Sequence, residues 1–184
     1  MKTKLISCIL IILAVAEIQA QNTSTSPNQN NFNKAFKIQP LNLIDGEFRV
    51  SYEQQISRKG ALEFELSYDN DKFETFTSSG TINELNARAG YRYYILKKEN
   101  RLQGLYARSG IEASHVFTKN LNNVSTLGIN AHLGHQWVLN GFVKGLTFDI
   151  NIGAHAYRLL DKEIGNALGT QLDINLNLRI GYSF

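Results

Sequence analysis

The four histidines of the chain are its best candidates for acid–base chemistry, and one of them directly follows a serine. Ser114 and His115 are the residue types that serve as nucleophile and base in many hydrolases. Neighbouring residues of a strand point to opposite faces, so these two side chains cannot form a hydrogen bond unless a bulge lies between them. One alternative therefore remains. If the strands of this chain cross a membrane, His115 could act with a hydroxyl from a nearby loop, in a hydrolase that modifies lipids of the outer leaflet.

The other three histidines are expected to have structural roles. His132 and His155 alternate with apolar residues, which predicts that they are hydrogen-bonded groups on a polar face, whereas His135 near Trp137 suits a membrane interface. No spacing of His, Asp or Glu suggests a metal site, and no motif requires a cofactor. The sequence therefore favours a protein that is not an enzyme.

Charged residues repeat on one face of the segments that alternate between polar and apolar positions. They could form a proton path or an acid–base pair, but both charge signs are mixed in a narrow space, which favours a structural network of salt bridges and hydrogen bonds. The predicted interior network consists of Glu47, Arg49, Glu53, Glu63, Glu65, Arg88, Arg92, Arg108, Glu112, Asp149, Asp173 and Arg179.

The element that positions these residues is clearest at the end of the chain. Every even position from Leu172 to Phe184 is apolar, and every odd position from Asp173 to Ser183 is polar or glycine. A period of two is typical of a strand whose two faces meet different environments. Seven further segments repeat this pattern, so the sequence predicts an all-β fold, an eight-stranded antiparallel up-and-down transmembrane β-barrel.

The first predicted strand changes the parity of its apolar residues at Pro40. A bulge at this proline would put Phe36 and Leu41 on the same face, and a strand that simply starts at Leu41 is the alternative. The other seven strands are expected at about 47–56, 62–68, 83–94, 105–117, 127–137, 146–157 and 170–184.

The connections between the strands carry further predictions. Asn140-Gly141 predicts a two-residue hairpin turn that pairs odd with even positions, and Ser57 to Gly60 predicts a three-residue loop that pairs even with even, with Gly60 in the left-handed region. Long polar loops at 70–82, 119–125 and 159–169 would gather at one rim, and short turns at the other. Such an asymmetry is typical of outer-membrane barrels.

Two closed barrels fit the alternation, and they differ in which face points inwards. A soluble lipocalin-like carrier of the periplasm would line its cavity with the apolar face, whereas a membrane barrel turns this face to lipid. From the second strand onwards the apolar face contains no Lys, Arg, Asp or Glu, as the cost of a charge in the bilayer demands. Aromatic residues near the strand ends suit the two interfaces, namely Tyr52, Tyr93, Trp137, Tyr182 and Phe184 at one rim and Tyr68 and Phe117 at the other. The membrane barrel is the favoured interpretation.

The N-terminal region has a different composition from the rest of the chain. A basic start, an apolar run of about twelve residues and a small-residue site before Gln21 predict a cleaved signal peptide at 1–20, with an uncleaved anchor or an amphipathic surface helix as alternatives. Residues 21–33 are polar and nearly uncharged, which predicts a flexible tether ahead of the barrel at 34–184. The formal charge of +3 and the lack of a basic cluster argue against nucleic-acid binding.

The final residues Leu178 to Phe184, together with the signal peptide and the eight alternating segments, resemble small outer-membrane barrels of the OmpA/OmpX type. More narrowly, residues 36–46 followed by Val50-Ser51-Tyr52-Glu53 are similar to an uncharacterised family of Gram-negative outer-membrane barrels. The resemblance implies that Tyr182 and Phe184 form the signal that the barrel assembly machinery recognises. It also implies contact with outer-membrane lipids, including lipopolysaccharide.

An eight-stranded barrel has an interior just wide enough to be filled by side chains, which argues against a general pore. We therefore expect an outer-membrane protein with a structural or interaction role, whose external loops or wall contact partners, among them a larger outer-membrane complex.

Overall fold

The computed structural model describes residues 32–44, 46–74, 79–97, 102–118, 123–139, 143–160 and 170–184, and the predicted signal peptide and most of the tether lie outside these ranges. Eight antiparallel strands form a closed up-and-down barrel in chain order, which confirms the predicted fold class. The strands are β1 Lys34–Ile38, β2 Phe48–Gln55, β3 Gly60–Glu74, β4 Ser79–Lys97, β5 Gly104–Thr118, β6 Val124–Val138, β7 Leu146–Leu159 and β8 Thr170–Ser183. Within the described residues, no helix has the length and apolar character needed to cross a membrane.

The barrel closes through its shortest strand. Ile38 of β1 lies opposite Val50 of β2 on one side and opposite Ile180 of β8 on the other. Closure pairs both edges of the sheet, so the backbone groups of the first and last strands are satisfied by each other.

The two faces of the strands meet opposite environments, as the period of two predicts. On β3, Glu63 and Glu65 point into the barrel and are buried, whereas Phe64 and Leu66 point outwards and Leu66 is 57% exposed. The same alternation continues around the wall, with large apolar side chains outside and charged side chains inside. The barrel therefore has a polar interior and an apolar outer surface.

The segment after β1 differs from the predicted bulge. The strand ends at Ile38, and a 3-10 helix, Leu41–Leu43, follows Pro40, whose φ of −69° suits a helix start. The N–H of Leu43 donates to the carbonyl of Pro40 at 3.2 Å, so Leu41 is not part of any strand. Both interpretations of this segment as strand were wrong, because the proline starts a helical turn.

The polar loop predicted at 70–82 is also wrong for most of its length. β3 continues to Glu74 and β4 begins at Ser79, with Asp71 opposite Ile82. Backbone ladder bonds need no apolar side chain, and polar side chains support this extension because Asn83 Oδ1 accepts a hydrogen bond at 2.8 Å from the Tyr68 hydroxyl. The connection between β3 and β4 is therefore a projecting hairpin, where the sequence predicted a long loop.

Two predicted turns have the right parity and the wrong geometry. Val138 lies opposite Thr147, yet Leu139 N–H donates to the Leu146 carbonyl at 2.8 Å, so the connection is longer than a two-residue turn at Asn140-Gly141. Among the described residues of this connection, which exclude 140–142, Gly145 is left-handed, with a φ of 85°.

At the other turn, Phe48 lies opposite Tyr68, which confirms even with even pairing. Gly60 is not in the left-handed region and instead begins β3. A Cβ atom at Gly60 would collide with the Tyr91 hydroxyl, so the position requires glycine because of a close approach.

Candidate functional site

The centre of the barrel holds a buried ammonium group with three acceptors. Lys37 Nζ lies 2.8 Å from Glu53 Oε2, 3.0 Å from Gln136 Oε1 and 3.1 Å from Asp149 Oδ2. The side chains of Lys37, Glu53 and Asp149 have no exposed surface. Lys37 is not among the residues of the predicted interior network, although its position between Phe36 and Ile38 follows the same alternation.

Arg92 joins this ammonium group to the opposite wall. Its guanidinium donates to Gln136 at 2.7 Å and to Asp149 at 2.9 Å, forms a further ion pair with Glu63 and lies 3.8 Å from the ring centroid of Tyr106. The Tyr106 hydroxyl donates to Asp149 at 2.6 Å. These charges are therefore held by hydrogen bonds on several sides, as buried ions require.

A second layer of ion pairs lies nearer to the rim that carries the 3-10 helix. Glu65 accepts from Arg88 at 2.7 Å and pairs with Arg179 at 3.0 Å. Arg88 also reaches Glu112 at 2.9 Å, and Arg49 pairs with Glu47 at 2.5 Å. Eleven of the twelve predicted network residues lie in these two layers, and Asp173 lies at the mouth of the barrel without an ion pair among the described residues.

The charges that form ion pairs in the described interior balance in number. Six cations, namely Lys37, Arg49, Arg88, Arg92, Arg108 and Arg179, face six carboxylates, namely Glu47, Glu53, Glu63, Glu65, Glu112 and Asp149. Such compensation within the ion pairs is expected of a structural network.

The end of the interior near the chain termini is filled by apolar and aromatic side chains. Ala35, Ala61, Tyr94, Leu102 and Tyr106 form one fully buried cluster. Leu102 comes from the connection after β4, and its carbonyl accepts a hydrogen bond from Gln136 Nε2 at 2.7 Å. This cluster, which sequence periodicity alone does not reveal, lies below the ionic layers as a floor.

The opposite half of the interior contains an open cavity of about 520 Å³. We call this cavity the vestibule; it is lined mainly by polar side chains of β2 and of β4 to β8, by Gln39, which follows β1, and by Asn42 of the 3-10 helix. Its lining includes Glu84, which the sequence analysis did not select, together with Arg88, Glu112 and Asp173. The vestibule is an interior space of the described residues that is large enough for a small molecule.

The interior histidines form one connected group. His155 Nδ1 lies 2.7 Å from Glu112 Oε2, and its Nε2 lies 2.8 Å from Asn175 Nδ2. The His132 ring meets the His155 ring edge to face at 4.9 Å between centroids, and His132 Nδ1 lies 3.1 Å from Asn151 Oδ1. Both histidines are therefore hydrogen-bonded on the polar face.

The outer wall carries one histidine with a hydroxyl partner near the 3-10 helix rim. His115 Nδ1 lies 2.8 Å from Ser125 Oγ, directly across the β5–β6 ladder. Ser114 points to the opposite face, where its hydroxyl lies 2.8 Å from that of Thr126. Ser125 lies at the end of a predicted loop, so this pair was not predicted; only the strand register brings the two residues together.

The aromatic residues at the chain end stack on the outer wall of the last strand. The rings of Tyr182 and Phe184 lie 6.5 Å apart at 18°, and the Phe184 carbonyl accepts from the Lys34 N–H at 3.0 Å. The end of β8 is thus joined to the start of β1 at the seam of the barrel. On the same rim, the His135 ring lies 4.2 Å from the Trp137 ring.

The described residues contain no group of three or more His, Cys, Asp or Glu arranged to hold a metal ion. No protein-family model, no curated protein and no solved structure matches the chain.

Proposed function

We propose that the chain is an integral outer-membrane β-barrel, exported through a cleaved signal peptide, with a non-enzymatic structural or interaction role. The observation that carries the proposal is the apolar outer wall. Large hydrophobic side chains that no other part of the described chain covers include Leu66, Ile111, Ile129, Leu133, Ile152, Ile174 and Leu176. A soluble monomer rarely exposes a contiguous apolar surface of this kind, whereas a bilayer requires one.

The filled interior supports a role other than a general pore. The apolar floor and the buried ions around Lys37 and Arg92 fill the half of the barrel near the chain termini. The charged side chains of the interior also argue against a lipocalin-like carrier, because they leave no apolar cavity for a lipophile in the described interior. Two surfaces are suited to interaction, the outer wall and the projecting β3–β4 hairpin. The outer wall could contact lipopolysaccharide or a larger membrane complex. The resemblance to OmpA/OmpX-type barrels fits this role.

The experiment is fractionation of cells that produce the full chain. We expect the protein in the outer-membrane fraction, migrating faster in dodecyl sulfate gels when the sample is not heated. A protein found wholly in the soluble periplasmic fraction would overturn the proposal and favour the carrier.

A second candidate function is favoured by the hydrogen bond between Ser125 and His115. A serine next to a histidine on the lipid-facing wall could act as nucleophile and base in hydrolysis of an outer-leaflet lipid ester. No carboxylate orients His115 within the described residues, so the pair lacks the third member of a triad. The two roles are distinguished by the acylation of outer-membrane lipids in cells that produce the wild-type protein or Ser125→Ala. If the protein is a hydrolase, the variant should no longer remove acyl chains. If the role is structural, the lipids of the two strains should be identical.

A further inference from the structure

The vestibule contains two carboxylates that form no ion pair with a described residue. It also contains a buried amide oxygen that has no hydrogen-bond partner. Glu84 of β4 and Asp173 of β8 line the cavity, and neither forms an ion pair with a described residue. The third carboxylate of the lining, Glu112, is already paired, since it contacts Arg88 and His155.

Gln39 supplies an independent observation. Its side chain lines the vestibule and is 4% exposed, yet its Oε1 atom has no hydrogen-bond partner. The amide orientation is fixed because Nε2 donates to Asn42 Oδ1 at 2.7 Å and to Asn177 Oδ1 at 3.0 Å. A buried carbonyl oxygen without a donor is costly, so the position is suited to a guest that donates.

Asn86 repeats this feature on another strand. It lines the same cavity, and its Oδ1 atom is buried without a partner. The cationic donors of the lining are already engaged, because Arg49 donates to Glu47 at 2.8 Å and Arg88 donates to Glu65 at 2.7 Å. Glu84, Asp173 and these two amide oxygens are therefore acceptors, and two of the four groups carry negative charge.

We propose that the vestibule binds a small organic cation with several N–H donors, such as an aliphatic diamine. An ammonium group donates three hydrogen bonds and accepts none, which complements Glu84, Asp173 and the two amide oxygens. An anion would meet arginines that are already paired, and the described residues offer no three-ligand site for a metal ion. The floor closes the other end of the barrel, so the guest enters and leaves at the rim of the 3-10 helix.

The inference goes beyond the proposed function and does not depend on it, because binding can be measured on the full chain purified in detergent. The probe is 1,4-diaminobutane in titration calorimetry. Two ligands of similar length serve as controls, 1,4-butanediol without charge and succinate with negative charge. We expect binding of the diamine alone. Asp173→Asn and Glu84→Gln should each weaken it by about tenfold, as expected for loss of a charge-assisted hydrogen bond.

Heat-modifiable migration of both variants checks that they remain folded. Absence of diamine binding to the folded wild-type protein would overturn the proposal. Equal affinity of wild type and both variants, or equal binding of succinate, would also overturn it, because either result assigns the heat signal to a non-specific charge effect. Binding of magnesium chloride without binding of the diamine would also contradict the inference, because the ligand would then be a metal ion and not an organic cation.

Discussion

Lys37 Nζ lies 2.8 Å from Glu53 Oε2, and this fully buried ion pair joins the shortest strand of the barrel to its neighbour. β1 contributes few ladder bonds, so the ammonium group that it carries into the centre is an important tie between the seam and the opposite wall. Asp149 of β7 accepts from the same group at 3.1 Å. The pair is therefore part of what closes the sheet.

Replacement of this ammonium group should destabilise the barrel strongly. Lys37→Met leaves the carboxylates of Glu53 and Asp149 with less compensation in the interior, and we expect a loss of about 3 kcal/mol in the free energy of unfolding. The measurement is urea unfolding in detergent micelles, followed by gel migration. The double variant Lys37→Met/Glu53→Gln should lose less than the two single variants combined. A Lys37→Met protein that unfolds at the wild-type urea concentration would contradict the role of the pair.

Two arginines that lie directly opposite each other on β4 and β5 should differ in their importance. Arg92 donates hydrogen bonds to Gln136 and Asp149. Arg108 is 3% exposed, and its three side-chain nitrogen atoms have no hydrogen-bond partner among the described residues. The carboxylate of Glu63 lies 3.8 Å from Arg108. Arg92→Met should therefore destabilise the barrel by about 3 kcal/mol and Arg108→Met by clearly less.

The comparison of these arginine variants uses the same urea titration, with the same residue introduced at two adjacent interior positions. Equal losses for the two variants would show that the contacts of the guanidinium do not determine its contribution. A larger loss of unfolding free energy for Arg108→Met would contradict the prediction, because it would show that Arg108 forms stronger interactions than Arg92 in the folded protein.

A charge on the outer wall should cost more at mid-height than at the rim if lipid surrounds the barrel. Ile129 lies in the middle part of β6 and is 65% exposed, and Leu172 lies near the start of β8. Ile129→Arg should destabilise the protein in lipid vesicles by about 2–4 kcal/mol, and Leu172→Arg by at most about 1 kcal/mol. Unfolding free energies measured in vesicles test this difference, and an equal small effect at both positions would indicate a wall in contact with water.

The C-terminal aromatic residue should matter for assembly in the cell more than for folding in detergent. The Phe184 ring stacks with Tyr182 at the seam and makes no described contact inside the barrel. Phe184→Ala should lower the amount of protein inserted by the assembly machinery while refolding in micelles stays near wild type. Phe64→Ala, which removes an outward ring from the middle of the wall, is the matched control. Equal insertion of the Phe184 variant and wild type would remove the assignment of an assembly signal.

The period of two predicted the number of strands, their direction and the faces of the side chains on β2 to β8. These features follow from the alternation itself, which places Glu63 inside and Phe64 outside without knowledge of any contact. The ends of the strands were less predictable. Backbone pairing continues through polar residues such as Asn83, and Pro40 starts a helical turn where a bulge was expected.

The candidate sites depended on information that the sequence does not contain. Ser125 meets His115 only through the register of β5 and β6, and Leu102 reaches the floor from a connection without any periodicity. Lys37 was predictable from its neighbours, but its three partners come from β2, β6 and β7. The pairings of an interior network arise from the barrel's closure, which brings together residues that are far apart in the chain.

The most direct test of membrane insertion uses the single tryptophan of the chain. Trp137 points outwards near the end of β6 and is 42% exposed, so its fluorescence reports whether lipid or water covers the wall at this rim. With the protein reconstituted in vesicles that contain nitroxide-labelled lipids, we expect strong quenching by labels near the headgroup and weaker quenching by labels at the bilayer centre. Quenching by aqueous acrylamide with no quenching by any labelled lipid would contradict the proposal that lipid surrounds this barrel.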